Sequence, residues 1–297
     1  MIKRLLKSVG EYKLPTILTP IFIIGEAVIE ALMPFIIANL INNIKAGCNM
    51  SDIAKNGGIL FIMACISLAC GGLAGFTASK ASAGFAKNLR KNIFYKIQDF
   101  SFENIDKFSS ASLVTRMTTD VSNVQMSFMM IIRTAIRSPL MFIFSIIMSF
   151  YMGGALAVTF VVVIPILAFG LIMIAKKAMP AFRSVFKKYD KLNESIEENV
   201  MAMRTVKGFV RESYEKKKFG NAADDIRKDF THAERIVALN DPLMQLCLYF
   251  NMAVILLIGS KTVISTQGAT LDVGQLSALI TYGVSILMSL MMLSMIY

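Results

Sequence analysis

The chain has 297 residues, of which 55% are hydrophobic, and it contains no tryptophan. Its mean hydropathy of +0.60 is too high for a soluble domain of this size, which excludes most soluble enzyme classes. The formal charge of +11 is concentrated in a few segments without an accompanying aromatic platform, so it indicates membrane topology and anionic lipid rather than nucleic acid as a partner.

Six apolar segments are long enough to cross a hydrocarbon core of about 30 Å as helices. They are residues 16–41, 57–79, 133–150, 155–175, 242–264 and 273–297. The preceding stretch "MIKRLLKSVGEYK" is basic and amphipathic, which predicts a retained interfacial helix over residues 1–15. The link "YMGG", residues 151–154, permits only a tight hairpin. The sequence therefore predicts an all-α membrane domain with six spans over residues 16–297.

Positive charge is distributed asymmetrically about these spans. Only Lys45 and Lys55, in the link after span one, and Lys261, near the end of span five, lie on the opposite side from the long loops. Apart from Arg133 and Arg137 at the start of span three, the other basic residues precede span one or lie in the two long loops, residues 80–132 and 176–241. Basic loops stay in the cytoplasm. We therefore expect a multi-pass protein of a bacterial plasma membrane, with both termini and both long loops in the cytoplasm.

Helical periodicity continues beyond the spans into both long loops. After span two, apolar side chains recur every three or four residues, at Phe85, Leu89, Ile93, Ile97 and Phe100. An unbroken helix from residue 57 to residue 100 would be about 66 Å long, so more than half of it would project from the membrane. A similar pattern follows span four. The sequence predicts two helical hairpins that extend far into the cytoplasm.

The tip of each hairpin alternates aromatic and charged residues. The tips read "SFENIDKFSS", residues 101–110, and "GFVRESYEKKKF", residues 208–219. Such a segment fits a short transverse helix that presents an aromatic side chain to a partner's groove, although a solvated turn that reverses the chain has the same composition. The presence of aromatic residues at both tips favours docking.

Four segments resemble the transmembrane domains of ABC exporters, and together they cover nearly the whole chain. They are "EALMPFIIANLINNI" (30–44), "NIDKFSSASLVTRMTTDVSNVQ" (104–125), "MRTVKGFVRESYEKKKF" (203–219) and "DVGQLSALITYGVSILMSLMMLSMIY" (272–297). Ser112 departs from the family, which most often has glycine there. The resemblance implies the type 1 ABC transporter transmembrane fold.

The resemblance also implies that the tips are coupling helices, which dock on nucleotide-binding domains. The first would comprise residues 101–108, with contacts from Ser101, Phe102, Asn104, Ile105, Asp106 and Phe108. The second would comprise residues 209–217, with contacts from Phe209, Arg211, Glu212, Tyr214 and Glu215. We therefore expect two partners, a nucleotide-binding domain and a second transmembrane subunit, identical or related.

No segment has the phosphate-binding pattern G-x-x-x-x-G-K-[ST]; "GSKT", residues 259–262, lacks the required order. We expect a separate ATPase domain that binds ATP and magnesium. This chain would then have no catalytic residues and no cofactors of its own. The four cysteines lack metal-ligand spacing, so no metal site is predicted either.

Polar residues inside the spans nominate a substrate pathway. Glu26 and Glu30 share one face of span one, and Arg133 and Arg137 form a similar pair at the cytoplasmic end of span three. Gln245 and Asn251 make span five polar. The carboxylates would recognise amphipathic, possibly cationic cargo in a hydrated cavity; alternatively, these groups join helices by hydrogen bonds and ion pairs.

The function that these patterns indicate is the membrane half of an ATP-driven exporter that moves a drug, lipid or peptide outward by alternating access. Two alternatives remain open. A proton-coupled secondary transporter could use Glu26 and Glu30 as proton carriers, and a non-transporting membrane protein could use the loops for docking. The first would not need long cytoplasmic arms, and the second would not need polar residues inside the spans.

Overall fold

A computed structural model describes residues 5, 7–101 and 110–296 of the chain. These residues form helices joined by short links, and none of them lies in a strand. The predicted all-α class is therefore confirmed. Two 3-10 turns, Gly10–Tyr12 and Gly154–Ala157, and a π-helix, Arg116–Asp120, accompany the α-helices. The α-helices are α1 (Lys13–Lys45), α2 (Met50–Gln98), α3 (Ser110–Thr115), α4 (Val121–Gly153), α5 (Val158–Met201), α6 (Met203–Gly208), α7 (Glu212–Val237), α8 (Asn240–Ser265) and α9 (Val273–Ile296).

Five helical stretches among the described residues are long and apolar enough to cross a membrane, which supports a multi-pass membrane protein. The third stretch, Ser112–Met201, has 90 residues and contains both the third and the fourth predicted span. The chain breaks between α4 and α5 at Gly154, whose φ of +50° favours glycine. The turn thus lies at Gly154–Ala157 rather than at residues 151–154, and the count of six spans stays a prediction.

The predicted extension of span two is confirmed. Helix α2 runs without interruption for 49 residues, which corresponds to about 74 Å. The chain divides into two compact units, one formed by Met1–Phe160 with Asn251–Tyr297 and the other by Val161–Phe250.

In the first unit, α1 is the central helix and packs against α2, α4 and α9. The α1–α2 pair is antiparallel, and small buried residues such as Ala74, Ala78 and Ala81 on α2 let the two backbones approach closely. The buried hydroxyl groups of Thr19 and Thr77 meet across this contact at 2.9 Å. Close packing and polar contacts thus hold this pair together.

The N-terminal segment lies against α2 rather than standing apart from the bundle. Val9 is buried in a cluster with Phe85 and Phe128, whose rings stack with centroids 4.4 Å apart. The ring of Tyr12 contacts Gly84 where any larger residue would collide with it. Contact with the membrane surface by residues 1–15 stays a prediction, but the described part of this segment is fixed to protein.

The start of α9 is fixed to the end of α1. Gln275 accepts a hydrogen bond from the backbone N–H of Asp272 at 2.9 Å, as in a helix capping box. Asn42 accepts one from the backbone N–H of Gly274, also at 2.9 Å. A side chain on Gly274 would overlap the backbone carbonyl of Ala38, so glycine is required at this approach.

The second unit is an antiparallel hairpin of α5 with α7 and the start of α8. Gly170 of α5 contacts Leu243 of α8, and the rings of Phe182 and Phe230 meet edge to face at 6.0 Å. Lys188 forms an ion pair with Asp229 at 2.7 Å. Apolar contacts in one part of the hairpin and charged contacts in another fit a helix pair that leaves an apolar environment for water.

Candidate functional site

A three-residue ion cluster joins α1 to α4 in the first unit. The guanidinium of Arg137 donates to Glu26 Oε1 at 2.8 Å through Nη1. Through Nη2 it donates to both carboxylate oxygens of Glu30, at 2.7 and 2.8 Å. One arginine therefore bridges two carboxylates that lie one helical turn apart on α1.

The side chains of this cluster are partly shielded, with exposed fractions of 36% for Arg137, 14% for Glu26 and 31% for Glu30. A carboxylate inside a membrane span needs a partner, and here both carboxylates share one. Of the two roles left open by the sequence, this geometry favours joining of helices by ion pairing. Participation of the cluster in a substrate pathway stays a prediction.

A cavity of about 440 Å³ lies beside the cluster, between α1, α4 and α9. Arg133, one turn before Arg137 on α4, lines it together with Glu30 and Arg137. The remaining lining residues are polar or methionine-rich: Thr134, Ser138, Met141, Val284, Ser285, Met288, Ser289 and Met292. The sequence nominated both arginines but not the serines, because a serine in a membrane helix is equally common in ordinary packing.

The two other nominated polar residues are not part of this cavity lining. Asn251 is buried in the first unit, and its side-chain nitrogen has no hydrogen-bond partner among the described residues. Gln245 is exposed and belongs to the second unit. The structure thus brings together four of the six nominated residues, Glu26, Glu30, Arg133 and Arg137.

The tip of the second arm differs in detail from the predicted transverse helix over residues 209–217. The short helix is α6, Met203–Gly208, and a turn at residues 209–211 leads directly into α7 at Glu212. Val210 in that turn has φ of +53°, which is strained for a β-branched residue. Helix α7 then continues through Gly220, because one interior glycine costs only about 1 kcal/mol.

Large apolar side chains are exposed around this turn. Phe209 is 75% exposed and Tyr214 is 58% exposed, while the Arg211 guanidinium lies 5.7 Å from the Tyr214 ring. Glu215, predicted as a partner contact, accepts a hydrogen bond from Asn199 of α5 at 2.7 Å. Asn199 is a residue that the sequence did not single out, and its bond fixes the start of α7 against the end of α5.

An apolar cavity of about 410 Å³ lies behind the tip, lined by residues of α5, α6 and α7. Glu212 borders this cavity with Glu215, whereas Phe209, Arg211 and Tyr214 do not. Of the predicted contact residues, Glu212 and Glu215 thus face the cavity, and Phe209, Arg211 and Tyr214 lie outside it. Docking by any of them stays a prediction.

The first tip is largely outside the described residues, and so are Phe102, Asn104, Ile105, Asp106 and Phe108. Ser101 is described, and it is exposed and non-helical. Within the described residues, no group of three or more His, Cys, Asp or Glu side chains could hold a metal ion.

Comparison with known families gives a match to the ABC transporter transmembrane region over residues 16–291. This chain belongs to that family. The match includes the first five predicted spans, most of the sixth and both arms, so the fold and the resemblance noted in the sequence agree. The chain is accordingly a transmembrane domain of an ABC transporter.

Similar proteins include an uncharacterized ABC transporter ATP-binding protein of Bacillus subtilis, 31% identical over 284 residues that cover 96% of this chain and 49% of the relative. A protein of the same description from Mycobacterium tuberculosis is 27% identical over 263 residues, covering 89% of this chain and 45% of the relative. An ATP-dependent lipid A-core flippase of Pseudomonas savastanoi is 25% identical over 184 residues, covering 62% of this chain and 31% of the relative. The chain spans about half the length of the first two relatives.

Proposed function

We propose that this chain is the membrane-spanning part of an ATP-driven exporter, which moves amphipathic substrates outward by alternating access between six spans. ATPase domains would bind ATP and magnesium, dock on the arm tips and drive the cycle, and a second transmembrane subunit would complete the pathway. Family membership supports a transporter, and the names of relatives, ATP-binding protein and flippase, support ATP as the energy source and a lipid-like cargo.

The observation that carries the proposal is the exposed aromatic tip of the second arm. Phe209 and Tyr214 expose most of their surface at the turn between two long helices, where a lone chain gains nothing from exposing them. The Asn199–Glu215 bond holds this turn on the arm, so a partner that pulled on the tip would move α5 and α7 together. That is the mechanical connection an ATPase domain requires.

Neither alternative function gains support. A secondary transporter would need Glu26 and Glu30 as proton carriers, but both are bound to Arg137. A docking protein without transport would have no use for a cavity lined by charged and hydroxyl groups between α1, α4 and α9.

The test is Tyr214→Ala in the protein with its ATPase domains present. Truncating an aromatic anchor at an interface costs about 2 kcal/mol, which shifts a docked population by more than tenfold. We expect partial ATP turnover, loss of its stimulation by substrate, and loss of transport in reconstituted vesicles. Ser213→Ala, an exposed neighbour, is the matched control. Normal stimulation and transport in Tyr214→Ala would exclude this side chain as a coupling contact.

A further inference from the structure

The cavity between α1, α4 and α9 contains a guanidinium group without a protein partner. Its ionisable lining residues are Glu30, Arg133 and Arg137, two guanidinium groups against one carboxylate. Both oxygens of Glu30 are bonded to Arg137. No described residue forms a hydrogen bond or an ion pair with Arg133, which is exposed and lines the cavity, so its N–H donors are free to bind a ligand there.

Two hydroxyl groups in the same lining are also unused. Ser138 of α4 and Ser289 of α9 are only 5% and 8% exposed. Neither side chain has a hydrogen-bond partner among the described residues, and both residues line the cavity, so their hydroxyl groups are available to a ligand there. By contrast, Ser285 donates to the backbone carbonyl of Thr281 at 3.1 Å. Two hydroxyl groups without a partner among the described residues, on different helices, thus border the cavity that Arg133 also lines.

The rest of the lining suits an apolar chain. Met141, Met288 and Met292 contribute flexible, polarizable side chains that adapt to an alkyl group of variable shape. A volume of about 440 Å³ accommodates a headgroup with part of a tail. The cavity therefore combines a cationic and hydroxyl-bearing part with an apolar part, which is the pattern of an amphiphile.

We infer that this cavity binds an amphiphile with an anionic, phosphate-bearing headgroup, such as an acidic phospholipid. Arg133 donates to the phosphate oxygens, Ser138 and Ser289 supply further hydrogen bonds, and the methionine side chains contact the tail. That the bound amphiphile is also cargo rests on the proposed export function. A cationic ligand fits poorly, because Glu30, the one carboxylate in the lining, is already occupied by Arg137.

An arginine near the end of a span could instead reach the water at the membrane surface. That explanation accounts for Arg133, but it does not account for the two hydroxyl groups, of Ser138 and Ser289, that lie in the same lining. The anionic ligand satisfies all three groups at once. The experiment must therefore separate a site built from three residues from a general attraction of basic proteins to acidic lipid.

The experiment measures equilibrium binding of two fluorescent lipids with the same tail, phosphatidylglycerol and phosphatidylcholine, to the purified full-length protein in detergent, without ATP. We expect a preference of about tenfold for phosphatidylglycerol, because charge-assisted hydrogen bonds are strong. Arg133→Gln should reduce the preference to less than about twofold, whereas Arg133→Lys should keep part of it, since lysine retains the charge without the planar fork. Lys80→Gln, which removes an exposed charge from α2, is the matched control and should leave the preference for phosphatidylglycerol unchanged.

Ser138→Ala with Ser289→Ala tests the hydroxyl groups and should weaken phosphatidylglycerol binding by about fivefold while Arg133 is intact. Millimolar inorganic phosphate should displace little of the lipid. Equal binding of both lipids by the unmodified protein, or an undiminished preference in Arg133→Gln, would overturn the inference. Displacement by phosphate as effective as displacement by unlabelled phosphatidylglycerol would also overturn it, because the site would then recognise a free anion.

Transport is measured separately, as ATP-dependent movement of the same labelled lipids across vesicles that contain the full-length protein. Preferential movement of phosphatidylglycerol, lost in Arg133→Gln, would support both the site and the export function. If the binding preference holds but ATP moves neither lipid, the site stands and the exporter proposal fails for this cargo. If ATP moves both lipids equally in every variant, the exporter proposal stands and the cavity does not select the cargo.

Discussion

The ion cluster makes a quantitative prediction about Arg137. Replacing it with glutamine removes the cation bonded to Glu26 and Glu30, and no other described residue pairs with either carboxylate. Two acidic groups one turn apart on α1 would then face each other without compensation in a largely apolar environment. We expect Arg137→Gln to destabilise the folded protein.

The magnitude follows from the burial of the three side chains. Removing one partner of a fully buried ion pair costs about 3–5 kcal/mol. Here Arg137 is 36% exposed and Glu30 is 31% exposed, so water reduces that cost. Polar contacts between membrane helices average about 0.6 kcal/mol, which sets the lower limit. We therefore expect a loss of about 2 kcal/mol in the free energy of unfolding.

The assay is an unfolding titration with sodium dodecyl sulfate in mixed micelles, followed by helical content. Arg133→Gln is the matched control, because it removes the same charge one turn away but breaks no ion pair, and should stay within about 0.5 kcal/mol of the unmodified protein. Neutralising all three groups, with Glu26→Gln and Glu30→Gln added to Arg137→Gln, should recover most of the loss. Equal effects of Arg137→Gln and Arg133→Gln would refute the reasoning.

Three further predictions concern packing and topology. Gly274→Ala should lower the free energy of unfolding by about 2 kcal/mol or more, because the new methyl group meets a backbone carbonyl of α1 that cannot move aside. Gly84→Ala should lower it by about 1–3 kcal/mol, because the ring of Tyr12 must move away. Gly72→Ala, where the new methyl group meets open space, is the control in the same titration. If Gly72→Ala lowers the free energy of unfolding as much as Gly274→Ala and Gly84→Ala do, both predictions are contradicted. With native cysteines removed, a cysteine at Met50 should react with an impermeant thiol reagent from outside the cell, and one at Tyr214 should not, although both positions are exposed in the chain. Labelling at Tyr214 from outside would contradict the predicted topology.

The helices were the most predictable part of the molecule. Their signal is local, since long apolar runs and three-to-four-residue spacing depend only on neighbouring residues. The extension of α2 far beyond its apolar run followed from the helical spacing of Phe85, Leu89, Ile93, Ile97 and Phe100. The predicted ends of helices next to turns were less accurate. The second tip was expected to form its own helix, but Gly208 and the left-handed Val210 end α6 early, and α7 then begins at Glu212.

Contacts between distant helices were not predictable in the same way. The pairs Glu26 with Glu30 and Arg133 with Arg137 are visible in the sequence because each lies within one turn. Arg137 binds both carboxylates only because α1 and α4 pack together, although Arg137 is more than 100 positions from Glu26 and Glu30 in the chain. The serines of the cavity gave no signal, because their significance is the absence of a partner, which only coordinates show.

Helix α2 lacks the residue that most often bends a long helix. It contains no proline, whereas α1, α4 and α5 each contain at least one. A helix about 74 Å long that tilts as a rigid body by about 5° displaces one end by about 6 Å relative to the other. A small rotation at the end near Gln98 is therefore amplified at the end near Met50. In α1 and α4, which pack against α2, proline interrupts the hydrogen bonding and lets the helix bend. Spin labels at two positions of α2 should keep one distance throughout a transport cycle, whereas distances from α2 to its neighbours should change.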